Sequence, residues 1–521
     1  MVQLETADTG EPTAPRGGGG KYLALTAMVF AVAMTFIDQT IVSIAIPNIQ
    51  GQLHLSSSGV QWVINGYLLA LAATFAFAGR LSDILGHRRM VLIGVVVFAI
   101  SSGLCGATPS NGLAEGWIVL WRVVQGIGAA ILFPAALAIV VSAFDLRERG
   151  KALAIFFGVS GGLTAIGPIL GGWLTQYTWR AIFWVNIPVA IIAVVLTLMS
   201  KVRTRSRRER LDYLGAILVA AGMALSVLGL QQASTWGWSA PKTWACIVGG
   251  LIVLAVFVVV ETRTEIPLIK VRIFADRAFS VDNAVLFFGM IAFIPVFFFA
   301  SVYTQISLGF NANGAGLYLL IYFAGFASAA QIGGRMLDAR GAKLPVLLGC
   351  AIGAAGYALW GWKLLSLSEG SQWPFIVLSG AGIGLLLGPA STDAVNRAIN
   401  ASYGEVTGIT QTLRNYGSSL GLAILGTILL NENVSRITQT LIGFGVPSGQ
   451  ASTIAHSVSQ SGGPSNAPAN IPPAIHSAIQ LDYAQATRVV FNGMAIALAL
   501  CFVIALFHPG GKVTRERVEA P

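Results

Sequence analysis

The chain has 521 residues; 55% are hydrophobic, only 10% are charged, and the formal net charge is +10. An average soluble protein carries about 25% charged residues, and so few charges cannot cover this much apolar surface in water. The composition excludes a soluble enzyme, a disordered chain and a secreted disulfide scaffold.

A membrane helix needs about 20 apolar residues, and apolar runs bounded by polar clusters predict fourteen such spans. A polar tail, 1–21, ends in a glycine run and precedes the first span at 22–47. Spans at 59–78, 90–108, 115–142, 152–175 and 180–199 follow. A basic stretch with Lys201, Arg203, Arg205, Arg207, Arg208 and Arg210 leads to spans at 213–232 and 244–260. The next five are 279–304, 315–333, 344–366, 374–396 and 407–430. The segment 431–485 is rich in Ser, Gly, Pro and Ala, which predicts a mostly flexible external loop with a short helix near 474–483. A last span at 486–507 leaves a tail, 508–521.

With the N-terminus inside, nearly all Lys and Arg fall in cytoplasmic segments. Arg180, Lys242, Lys363, Arg436 and Arg488 fall outside, and Arg122 and Arg414 fall within spans. This bias predicts an inner (plasma) membrane protein with both termini cytoplasmic. Cys105, Cys246, Cys350 and Cys501 sit in apolar stretches without paired spacing and read as packing residues. No phosphate-cradling loop, metal cluster or catalytic constellation is visible. We therefore expect no enzymatic activity, no cofactor, no metal and no nucleic-acid partner.

The chain repeats itself. The segment 79-GRLSDILGHRR-89 follows span two, and 334-GRMLDARGAK-343 follows span ten. Each has Gly, Asp four residues on, Gly three further, then bases. If each follows the second helix of a six-helix half, the halves are 22–200 and 263–507, with the basic loop and two helices of 201–262 inserted between. Parallel halves with a site at their interface are a transporter layout.

With these loops, 37-IDQTIVSIAIP-47, 122-RVVQGIGAA-130, 158-GVSGGLTAIGPILGG-172 and 179-WRAIFWVNIP-188, the chain resembles the major facilitator superfamily. More narrowly, it resembles the fourteen-helix drug:proton antiporters, over nearly all of residues 22–507. Ile84 stands where that family usually has a base. The resemblance implies an all-α integral membrane fold of two six-helix halves plus two inserted helices. It implies export of amphiphilic, cationic drugs or toxic compounds by alternating-access antiport against protons. The carrier would act as a monomer, with small molecules, protons and membrane lipids as partners. It also implies that Gly79, Asp83, Gly86, Arg88 and Arg89, with Asp338 in the second loop, form a cytoplasmic gate. Gly158, Gly162, Gly167, Pro168, Gly171 and Gly172 would form the exporter motif that seals the halves. Export of one endogenous metabolite, such as an antibiotic, siderophore or lipid, is the near alternative. A non-transporting sensor is the remote one.

Asp38 stands out by cost. It sits about 24 Å from the inner end of span one at 1.5 Å per residue. An ionised carboxylate facing lipid costs at least about 2.5–3.5 kcal/mol. Asp38 and Arg122 lie at similar depth, about 13 and 10 Å from the outer end, so they can pair if their helices adjoin. Two readings stand: a proton-coupling or substrate contact, and a static pair that fixes packing. Arg414, about nine residues into its span, can meet an anionic substrate, a carbonyl or a lipid phosphate, or serve packing. Asp282, Asp393 and Glu405 fall near inner helix ends, where water would reach them.

Overall fold

The computed structural model describes residues 18–144, 146–200, 211–397, 403–460 and 473–511. The expected N-terminal tail up to 17, the basic cluster 201–210, the run 461–472 and the tail from 512 lie outside the described residues. All regular structure among the described residues is helical. In chain order the helices are α1 (Gly18–Leu53), α2 (Ser57–Leu85), α3 (His87–Gly106), α4 (Ala114–Ala143), α5 (Leu146–Thr175), α6 (Ala181–Trp184), α7 (Asn186–Met199), α8 (Tyr213–Trp236) and α9 (Pro241–Arg263). They continue with α10 (Arg277–Ile306), α11 (Ala312–Arg340), α12 (Lys343–Lys363), α13 (Glu369–Arg397), α14 (Tyr403–Gly443), α15 (Ser448–Gln460) and α16 (Pro473–Leu506).

Every expected span falls on a helix, with α6 and α7 together forming the sixth. Twelve of these helical stretches are long and apolar enough to cross a membrane. The other two, α5 and α14, have 30 and 41 residues; α14 packs on α2, α10 and α16, and α5 packs on α1 and α11 with one face exposed. Polar Thr, Gln, Asn and Ser side chains lower the hydropathy of α14. Exposed Ile191, Ile192 and Val195 on α7 and Leu251, Ile252 and Val256 on α9 give the bundle an apolar outer skin. Such a continuous skin needs lipid around it.

Local sequence sets the helix starts. Ser56, Asp212, Asp276 and Asn311 each accept a hydrogen bond from the backbone N–H three residues on, at α2, α8, α10 and α11. Gly86, with φ at 90°, ends α2 and opens α3. A residue with a Cβ would strain that left-handed turn.

One packing pattern occurs twice. α1 packs on α5 and α7, α2 on α4, and α3 on α4 and α7. In the same way α10 packs on α14 and α16, α11 on α13, and α12 on α13 and α16. The two sets meet where α5 lies against α11 and α2 against α14. The inserted pair α8 and α9 pack together, and α8 also covers the α2–α14 seam. There Ser58 donates to Gln232 at 3.1 Å, Thr427 donates to the Leu230 carbonyl at 2.9 Å, and the Ser226 and Tyr416 hydroxyls are 2.8 Å apart.

The segment 431–485 corrects its expectation. α14 continues to Gly443, α15 follows, and α16 begins at Pro473. Ile437, Leu441, Ala451, Ala455, Val458 and Ile479 form their own apolar cluster. These positions recur at helical spacing, so three helices bury one common face. Ser57 on α2 donates to the Ser459 carbonyl at 2.7 Å, which ties this cap to the other helix set.

Candidate functional site

In the orientation expected from the basic residues, the sets touch most closely at the outer end. Gln305 on α10 donates to the Ile44 carbonyl on α1 at 3.1 Å, and Ser419 on α14 donates to Asn65 on α2 at 2.5 Å. A Cβ on Gly172 of α5 would lie 2.8 Å from the Ala312 carbonyl oxygen of α11. A Cβ on Gly316 would overlap the Pro168 carbonyl. Among Gly162, Gly167, Gly171 and Gly172, only Gly172 makes this approach between sets. Gly167 and Gly171 instead admit α1, whose Thr40 side chain and Ile37 and Ile41 carbonyls fill the space of a Cβ. Thr40 also donates to the Thr164 carbonyl at 2.9 Å. A Cβ on Gly162 would meet nothing within 4 Å. Gly158 lies one turn earlier on α5.

Just inward of this closure, α1, α2 and α4 bury a charge pair. Asp38 is 0% exposed and Arg122 1%. Arg122 donates to Asp38 Oδ2 at 2.6 Å, and Gln125 donates to Oδ1 at 2.9 Å. The guanidinium also donates to Gln125 at 2.8 Å and to the Val63 carbonyl at 2.7 Å. It lies over the Tyr67 ring, 4.5 Å from the centroid. The structure thus brings Asp38 and Arg122 together and adds Gln125, one helical turn after Arg122. The Tyr67 ring of α2 packs under the guanidinium.

Next to this pair is a narrow cavity of about 30 Å³ between the helix sets. Thr35, Phe36 and Gln39 of α1, Phe75 of α2, Phe133 of α4, Met290 of α10 and Gln411, Arg414 and Asn415 of α14 line it. Asp38 does not reach it; its neighbour Gln39 does. Arg414 does reach it, from α14 of the second helix set.

The loop residues separate. Gly79 packs against Pro134, and Asp83 lies 3.8 Å from His87. Arg80 donates to the Pro267 carbonyl at 3.2 Å and Arg88 to the Leu198 carbonyl at 3.0 Å, while Arg89 is exposed. Asp338 is exposed and makes no ion pair among the described residues. The two repeated loops therefore share a pattern and differ in their contacts.

A family model for the Major Facilitator Superfamily matches residues 28–422. The chain belongs to the major facilitator superfamily. A tetracenomycin C resistance and export protein of Streptomyces glaucescens is 33% identical, with 83% of this chain and 81% of that one covered. A puromycin resistance protein of Streptomyces alboniger is 32% identical, covering 82% and 84%. A bacterial homologue of the human lysosomal transporter Spinster, inward-facing and occupied, shares the fold. Its TM-score is 0.62 at 16% identity, over 94% of this chain and 97% of that one. This facilitator is therefore a multi-pass membrane transporter.

The facilitator also holds a charge cluster that sequence reasoning did not assemble. Asp282 of α10, Asp393 of α13 and His508 beyond α16 are all buried. The expectation that water reaches the two carboxylates fails, because the chain after α16 folds back over them. His508 Nε2 lies 3.2 Å from Asp393 Oδ2 and 3.5 Å from Asp282 Oδ1. Arg397 donates to Asp393 at 2.6 Å and to the Gly510 and Gly511 carbonyls at 3.0 Å. Burial acts to lower the His508 pKa, but its bonds and attraction to the two carboxylates win and push it up to about 9. Glu405 differs again, paired with Lys270 at 3.0 Å.

Proposed function

We propose that this facilitator exports amphiphilic, drug-like compounds in exchange for protons by alternating access. The single observation that carries this reading is the buried Asp38–Arg122–Gln125 cluster, one residue behind the wall of a central cavity. A carboxylate so placed can respond to a proton while its neighbour Gln39 responds to cargo. The names of the relatives, an export protein and a resistance protein for antibiotics, support the direction and the kind of cargo. A drug and a self-made antibiotic present the same chemistry to such a cavity.

In this mechanism Arg122 and Gln125 hold Asp38 ionised while the outer end is closed. Once the outer end has opened, a proton arriving from outside neutralises the carboxylate, and Arg122 loses its charge partner. The freed guanidinium keeps its Val63 and Gln125 bonds, so α1 rather than α4 is released. α1 packs on α5, whose Gly172 closes on α11, so a shift of α1 reaches the outer closure. Both termini are taken as cytoplasmic, and α5 and α14 join the twelve apolar stretches to make fourteen crossings. The halves are then 22–200 and 263–507, joined by 201–262. The gate role of Asp83, Arg88 and Arg89 is retained as part of this reading. Asp338 has a weaker claim, since it is exposed.

The resemblance implies a cationic cargo. The cavity lining offers a cation no carboxylate, because Asp38 faces Arg122 and Gln125. The deciding experiment reconstitutes the protein in liposomes with an imposed pH gradient. A fluorescent amphiphile should move against its gradient, and Asp38→Asn should stop it. Proton-driven movement in that variant at the wild-type rate would refute the coupling role.

A further inference from the structure

The cavity is lined by one ionisable side chain, Arg414, and its charge has no partner among the described residues. The guanidinium makes one contact, to Met290 Sδ at 4.0 Å. Its Nε is buried without a hydrogen-bond acceptor. No carboxylate among the described residues lies within ion-pair distance of it. The other arginines held inside the protein are treated differently. Arg122 has Asp38 and a carbonyl; Arg180 has the Gly106 and Thr108 carbonyls; Arg397 has Asp393 and two carbonyls. An arginine kept for packing shows such partners. A buried cation without them is costly, and one on a cavity wall receives its partner from the cavity.

We propose that the cargo is an amphiphilic anion, a carboxylic acid or an acidic enol or phenol, whose charged end docks on Arg414. The inference rests on the exporter reading above and specifies its cargo. The planar guanidinium matches a carboxylate or enolate by two parallel N–H···O bonds. Gln411, one turn before Arg414, and Asn415, beside it, add amide groups to the same wall. Opposite them, Phe36, Phe75 and Phe133 form a tilted aromatic face with ring centroids 5.6–5.8 Å apart. When the helix sets part and widen this narrow cavity, a flat ring system with an acidic group at one edge meets both walls. A cation in this cavity would meet the positive charge instead.

Two dyes on one xanthene scaffold test this: fluorescein, an anion at neutral pH, and rhodamine 123, a cation. Binding is measured by polarisation on the full chain in nanodiscs, and movement in liposomes with a proton gradient. We expect fluorescein to bind the wild type more tightly than rhodamine 123. Arg414→Gln should weaken fluorescein at least tenfold without weakening rhodamine 123, and Arg414→Lys should retain part of the affinity. Because the guanidinium has no protein partner, Arg414→Gln should melt no lower than the wild type; a large loss of stability would mark a packing role and overturn the proposal. Preference for rhodamine 123, or binding of neither dye, also overturns it, and the wild type alone decides both. If rhodamine 123 alone is pumped, the anion inference falls and the exporter reading stands. If fluorescein binds at Arg414 but neither dye is pumped, the exporter reading falls and the anion site stands.

Discussion

Arg122 holds Asp38 at 2.6 Å with both side chains buried, and no water-exposed surface lies between them. Removing one member of such a pair leaves the other charge uncompensated, which typically costs about 3–5 kcal/mol. Asp38→Asn and Arg122→Gln should each lower the melting temperature of the purified protein. The double variant should be more stable than the sum of the two losses implies, because it leaves no orphan charge. Strictly additive losses in a thermal melt would show that the pair is not coupled.

The outer closure depends on two helices approaching without side chains. Gly172→Leu places atoms where the Ala312 carbonyl now sits. Overpacking of this kind costs about 1–3 kcal/mol, enough to shift the balance between closed and open outer ends by roughly five- to 150-fold. A cysteine placed near this closure should then react faster with an impermeant thiol reagent added from outside. Gly162→Ala should leave that rate unchanged, since a Cβ there meets nothing.

The His508 clasp predicts a pH dependence with a definite sign. The ordinary histidine pKa is about 6.5, and the folded protein raises it to about 9. The bound proton therefore stabilises the fold fully below about pH 6.5, and this contribution is lost as pH rises through 9. Melting temperatures of the wild type should fall across that window, and those of His508→Gln should fall less. Equal slopes for the two proteins would contradict the assignment.

Cargo charge sets the driving force. If one proton exchanges for one monovalent anion, two positive charges move inward per cycle, each worth about 2.3 kcal/mol per 100 mV. A monovalent cation exchanged for one proton moves none. Transport of an acidic compound should therefore produce a transient current on a solid-supported membrane. An acidic cargo carried one-for-one without current would contradict this stoichiometry.

Asp38 and Arg122 were legible in the sequence because a charge inside an apolar span is conspicuous and costly. Gln125 was not, being uncharged, although its spacing of three from Arg122 puts it on the same helix face. Asp282, Asp393 and His508 come from three separate elements, and their meeting is a fact of tertiary packing. Their position near helix ends suggested water, which the returning chain after α16 excludes. The cap formed by α14, α15 and α16 was hidden by composition. The Ser, Gly and Pro residues of 461–472 dominated a segment whose neighbours carry regular apolar spacing. Arg414 was visible as a residue, but only the structure shows that no carboxylate among the described residues answers its charge.

The inserted helix α8 has a consequence for how lipid-dissolved cargo arrives. It bonds to α2 through Ser58 and to α14 through Tyr416 and Thr427, covering that seam along its length. A hydrophobic compound sliding in from the bilayer finds this doorway blocked by a third helix. The α5–α11 seam has no such cover among the described helices. The two seams between the helix sets are thereby unequal, one covered by a third helix and one not, and the bundle has a front and a back.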